Sequence, residues 1–117
     1  MCGIAGYISN DFNENDILNI LNSLEHRGPD NQSYYRDTFE NKNVCLGHAR
    51  LSIIDLQEHA NQPMHFKNLS LVFNGEIYNY KEIRNKLLND GASFDTDSDT
   101  EVLLKSIYFY GIAKAIE

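Results

Sequence analysis

The sequence has little of most features that would classify it at a glance. Its 117 residues include only two cysteines, Cys2 and Cys45, and two prolines, Pro29 and Pro63. Two cysteines are too few for a disulfide framework, which points to a reducing, cytoplasmic setting. No apolar run approaches the ~20 residues of a membrane span. The N-terminus also lacks the basic stretch and apolar core of a signal peptide. Positive charge is scarce: 10 Lys and Arg stand against 17 Asp and Glu, for a formal net charge of -7. Nucleic acids and anionic membranes bind positive patches, so neither is an expected partner. There are no repeats and no low-complexity tracts. What remains is ordinary globular composition, 42% hydrophobic and 23% charged, in a chain of one domain at most.

The element pattern alternates without βαβ regularity. Residues 3–8 are short, apolar and glycine-spaced, as in a buried strand. Ile17, Leu18, Leu21 and Leu24 follow a polar segment at helical spacing, and His26-Arg27-Gly28-Pro29 stops that helix. Tyr34 and Tyr35 suggest a short strand, and residues 44–54 a longer one. On the longer strand Leu46, His48, Arg50 and Ser52 share one face. A polar loop spans 55–68, and a strand spans 69–73. Asn74-Gly75 then predicts a tight hairpin, with a strand returning over 76–80. Helices are predicted from Tyr80 to Asp90, ended by Gly91, and from Ser98 to about Tyr110, closed by Gly111. In the second, Ser98-Asp99-Thr100-Glu101 has the form of a capping box, with Asp99 suited to the helix dipole. The pattern is α+β, a mostly antiparallel sheet covered by helices.

Two metal readings fail on spacing. Residues 95–99 hint at a calcium loop, but Thr100 stands where glycine is required and Ser106 where glutamate is required. Cys45, His48, His59 and His65 match no usual zinc spacing.

Five segments occur in a telling order: Met1-Cys2-Gly3-Ile4-Ala5-Gly6, His26-Arg27-Gly28-Pro29-Asp30, residues 47–56 (GHARLSIIDL), Asn74-Gly75-Glu76-Ile77-Tyr78-Asn79, and Ser98-Asp99-Thr100-Glu101. Together they resemble class II glutamine amidotransferases, whose glutaminase domain is an N-terminal-nucleophile hydrolase. Within that class they look most like glutamine-hydrolysing asparagine synthetases. The resemblance implies a four-layer α/β/β/α sandwich with mostly antiparallel sheets, of which residues 1–117 would be the N-terminal part of the glutaminase domain.

The resemblance also assigns roles that the residues can fill chemically. Cys2, once Met1 is removed, would carry a thiol and a free α-amine, whose reference pKa of about 7.7–8.0 leaves part of it a neutral base. Read without the resemblance, Cys2 is simply a small buried hydrophobe. Gly3 would let backbone and substrate approach closely. Asn74 and Gly75 would present two donors to the oxyanion of thioester formation, a role compatible with a hairpin turn. Arg50, otherwise a surface ion-pair residue, would grip the α-carboxylate of glutamine with two parallel hydrogen bonds. Leu51, Ile53 and Ile54 would line the pocket, and Glu76 with Asp99 would bind the α-ammonium. Residues 26–30 are assigned to scaffolding.

By the same resemblance, ammonia released here would convert aspartate to asparagine in a second domain that uses ATP and magnesium. No cofactor is expected in this chain, and the resemblance leaves a homodimer open as its assembly. Two rivals stand beside this reading. One is a class II amidotransferase with a sugar or surface-polysaccharide acceptor, and the other a non-catalytic glutamine-binding module. Residues 112–117 begin what reads as a further helix that ends without a cap. The family domain is therefore expected to continue past Glu117, with the isolated chain poorly folded and inactive.

Overall fold

The computed structural model describes residues 2–51 and 61–117. The predicted strand end at 52–54, the start of the loop at 55–60 and the two pocket-lining residues Ile53 and Ile54 lie outside the described residues.

Three long segments form the first sheet: β1 (Gly3–Ser9), β2 (Asn31–Phe39) and β3 (Lys42–Arg50). The order is β1-β3-β2, antiparallel throughout, with Gly3 opposite Ala49 and Ser33 opposite His48. Strand alternation gives this sheet two different faces. Tyr7, Tyr34, Cys45 and Gly47 face α1 (Glu14–Ser23), whose Ile17 and Leu21 are buried against Cys45. Gly47 lets the helix pack closely there, since a Cβ would lie 2.9 Å from the Ile17 Cδ1. Ser33, Tyr35, Leu46 and His48 occupy the opposite face.

That opposite face meets a second, smaller sheet of β4 (Met64–Phe66) and β5 (Leu69–Leu71), paired antiparallel. The Tyr35 ring packs edge-on to His65 at 4.4 Å, and the Ser33 hydroxyl donates to the Gln62 carbonyl. Gln62 is joined to Pro63 by a cis peptide bond. Outside this sheet lie α3 (Asp99–Tyr110), through a Phe66–Tyr108 ring contact, and then α2 (Tyr80–Asn89) against α3. A single turn, α4 (Ile112–Ala115), follows Gly111. Helix, sheet, sheet, helix is the α+β, four-layer arrangement expected of an N-terminal-nucleophile hydrolase, here with small sheets.

The helix limits follow local chemistry. Asn13 caps α1 by accepting from the Asn15 N–H at 3.0 Å, and Ser98 caps α3 by accepting from the Thr100 N–H at 3.1 Å. Gly91 and Gly111 end α2 and α3 with positive φ of 95° and 82°. Three expectations are corrected. Tyr34 and Tyr35 belong to a nine-residue strand, stabilised along its whole length by β3. The tight turn of the small sheet is at Lys67-Asn68, where Lys67 has φ of 55°, and not at Asn74-Gly75. No strand follows Asn74 among the described residues, since the ladder stops at Leu71 and the chain runs to α2 as a loop.

Candidate active site

Cys2 stands at the entrance to β1, half-buried, where the first sheet ends. The Leu51 N–H donates to its sulfur at 3.3 Å, and the thiol is directed back at the Leu51 carbonyl, 3.5 Å away. This places the Leu51 backbone against the Cys2 sulfur. The Arg27 Nε donates to the Cys2 carbonyl at 3.1 Å. Segment 26–30 thus acts as scaffolding, with one of its side chains fixing the backbone of residue 2. The segment can lie this close only because residue 28 is glycine: a Cβ there would sit 2.1 Å from the Ala49 carbonyl oxygen. At Gly3 the Leu24 side chain fills the space where a Cβ would be.

Arg50 ends β3 and is buried, unlike a surface ion-pair arginine. Its carbonyl accepts from the Asp30 N–H at 3.0 Å, and its Nη1 donates to the Asn61 side-chain oxygen. Two residues earlier, His48 is only 1% exposed, and neither ring nitrogen has a hydrogen-bond partner among the described residues. Burial, then the Arg50 guanidinium, push its pKa from 6.5 down to about 4. The Phe73 backbone opposes that shift from a position short of a well-formed hydrogen bond. His48 is therefore a neutral imidazole at neutral pH.

The second group of candidates gathers at the start of α3. Asn74, Gly75 and Glu76 are exposed on the loop that follows β5. Asp99 is buried, and its Oδ2 accepts from the Ile77 N–H at 3.0 Å, which ties the far end of that loop to the helix. The near end is tied as well: the Gln62 amide bonds to both the N–H and the carbonyl of Phe73. Glu101 does not close a capping box on Ser98. It accepts from the backbone of Asp95 and Thr96 and from the Thr96 hydroxyl, and it pairs with Lys105 at 2.7 Å. Burial raises the Glu101 pKa, but Lys105 and these donors outweigh it and hold the carboxyl below its ordinary value. Among the described residues no group of three or more His, Cys, Asp or Glu could hold a metal ion.

The sequence profile of the glutamine amidotransferase domain matches residues 1–117, the whole chain. The chain belongs to the glutamine amidotransferase domain family. It is 39% identical over 118 residues to asparagine synthetase [glutamine-hydrolyzing] 1 of Bacillus subtilis, covering 94% of this chain and 18% of that protein. It is 35% identical over 123 residues to a putative asparagine synthetase [glutamine-hydrolyzing] 2 of Methanocaldococcus jannaschii, covering 90% of this chain and 23% of that protein. It is also 33% identical over 135 residues to the glutamine–fructose-6-phosphate aminotransferase [isomerizing] of Campylobacter jejuni, covering 94% and 23%. The chain thus spans about a fifth of the length of these relatives.

In this amidotransferase domain the structure forms two groups from the predicted site residues. Cys2, Arg50 and Leu51 sit at the end of the first sheet. Asn74, Gly75, Glu76 and Asp99 sit around the start of α3. Sequence reasoning missed Arg27 and Gln62. Arg27 lies in a segment that had been singled out, but its reach to Cys2 spans 25 residues. Gln62 lies in what reads as a polar loop, and only the adjacent Pro63 marks the place.

Proposed function

We propose that this domain hydrolyses the side-chain amide of glutamine to glutamate and ammonia through a thioester on Cys2. The observation that carries the reading is the placement of Cys2. Its thiol is half-exposed at residue 2, with the Leu51 N–H directed at the sulfur and Arg27 holding its carbonyl. On this reading Met1 is removed, and the α-amine of Cys2 takes the thiol proton. The thiolate attacks the amide carbon, and negative charge develops on the former carbonyl oxygen. The Asn74 side-chain amide and the Gly75 N–H donate to that oxyanion. As the C–N bond breaks, the α-ammonium returns the proton and ammonia leaves. Water then attacks the thioester, which frees glutamate and restores the thiol. Arg50 takes the α-carboxylate of glutamine, Glu76 and Asp99 take its α-ammonium, and Leu51, Ile53 and Ile54 line the pocket.

The similarity to asparagine synthetases supports aspartate as the acceptor, amidated with ATP and magnesium in a second domain outside these residues. The Campylobacter relative favours a second reading, in which the acceptor is a sugar phosphate. The experiment uses the complete polypeptide that carries this domain. Ammonia release from glutamine should be lost in Cys2→Ala, while synthesis from free ammonia persists. Product formation from aspartate and ATP, set against a sugar phosphate, decides the acceptor. Undiminished ammonia release by Cys2→Ala would contradict the proposal.

A further inference from the structure

We infer that Gln62 is a positioning residue for the oxyanion donors, setting the loop that carries Asn74 and Gly75 against the sheet that carries Cys2. The inference rests on the reading of Asn74 and Gly75 given above. β5 stops pairing with β4 at Leu71, two residues before Phe73. From there the Gln62 amide acts as the pairing strand would. Its Oε1 accepts from the Phe73 N–H at 2.5 Å, and its Nε2 donates to the Phe73 carbonyl at 3.2 Å. Both main-chain groups of the residue before Asn74 are thereby fixed by one planar group.

The same Nε2 donates to the Thr100 hydroxyl at 3.2 Å, beside Asp99, which holds the other end of the loop at Ile77. The backbone of Gln62 is held in turn by the Ser33 hydroxyl on β2, and Ser33 lies opposite His48 in the first sheet. One buried residue therefore links three things, through its backbone the sheet of the nucleophile, and through its side chain the loop of the donors and the helix start that holds Asp99. An amide suits this position because it offers an acceptor and two donors in one plane. A carboxylate would lose both donors and a thioether all three bonds. The hole needs its donors near the developing oxyanion, and a displacement of about 1 Å can slow turnover roughly 10²-fold.

The test is a double-mutant cycle in the complete polypeptide, reading glutaminase kcat and KM for the parent, Gln62→Met, Asn74→Ala and the double variant. Positioning predicts that Gln62→Met lowers kcat roughly 10- to 100-fold and leaves KM within about threefold. It also predicts that this loss largely vanishes in the Asn74→Ala background. An equal loss in both backgrounds, a rise in KM alone, or an unchanged kcat would overturn it. A full kcat in Asn74→Ala would overturn the oxyanion reading and the positioning role with it. A loss in Asn74→Ala beside a full kcat in Gln62→Met overturns positioning alone. If Gln62→Met does not fold, Thr100→Val, which removes one of the three amide bonds, goes through the same cycle. A fall in kcat that disappears without Asn74 supports the role, and an unchanged kcat refutes it.

Discussion

At the scale of single residues, the two cysteines differ in surroundings more than in chemistry. Cys45 is packed against Ile17 and Leu21 under α1, and burial raises its pKa, so it is an inert thiol. Cys45→Ser should keep glutaminase kcat within about twofold, where Cys2→Ala removes it. Arg50→Lys should raise KM for glutamine with a smaller effect on kcat, because a point charge cannot make a two-pronged contact with a carboxylate. Asn74→Ala should lower kcat roughly 10²- to 10³-fold if it removes an oxyanion donor. A variant with raised KM and intact kcat would instead make Asn74 a ground-state binder. His48 gives a pH prediction. Its folded-state pKa is lowered from 6.5 to about 4, so between those values the unfolded chain takes up a proton that the folded chain refuses. Stability should therefore fall as pH drops from 6.5 to 5, by about 1.5–2 kcal/mol from this group. Above about pH 7.5 the contribution is constant. Urea midpoints of the complete polypeptide and its His48→Gln variant over that range check it; equal slopes would contradict it.

At the scale of elements, the sequence was legible where one residue decides a boundary. Ser98, Gly91 and Gly111 mark ends of α2 and α3 because capping and positive φ are local requirements. Asn74-Gly75 misled for the opposite reason. The dipeptide favours a turn, but a hairpin also needs two strands to pair, and here Gln62 replaces the second strand at Phe73. The buried arginine was equally hidden, since Arg50 is covered by packing across the sheet that a lone strand cannot reveal. Glu101 shows the same limit: its spacing from Ser98 fits a capping box, yet it turns to Lys105 and the Asp95–Thr96 backbone. Glu101→Ala would leave Lys105 buried without its partner, at a cost of about 3–5 kcal/mol. The double variant Glu101→Ala with Lys105→Met should recover part of that loss. Chemical denaturation of the three variants measures it, and equal stability of the single and double variants would argue against the pair.

At the scale of the whole molecule, five motifs far apart in sequence were enough to find the domain. They could not show how its parts are joined, because Arg27 to Cys2 and Gln62 to Phe73 are contacts that no local pattern encodes. The sheets are small, and β4 and β5 have three residues each. Ile4, Ile8, Ile112 and Ile116 are exposed. A two-stranded sheet of this size has little stability of its own. Expressed alone, the 117-residue chain should therefore show no sharp thermal transition and little ammonia release. A cooperative transition with full turnover would contradict that.

Cys2, as an N-terminal residue, is proposed as the nucleophile toward glutamine. An electrophilic glutamine analogue, with a diazoketone in place of the side-chain amide, tests it most directly when the complete polypeptide is inactivated and mapped by mass spectrometry. One equivalent of label on Cys2 is expected in a peptide lacking Met1, with glutamine protecting against labelling. Label on Cys45, or inactivation with Cys2 unmodified, would contradict it.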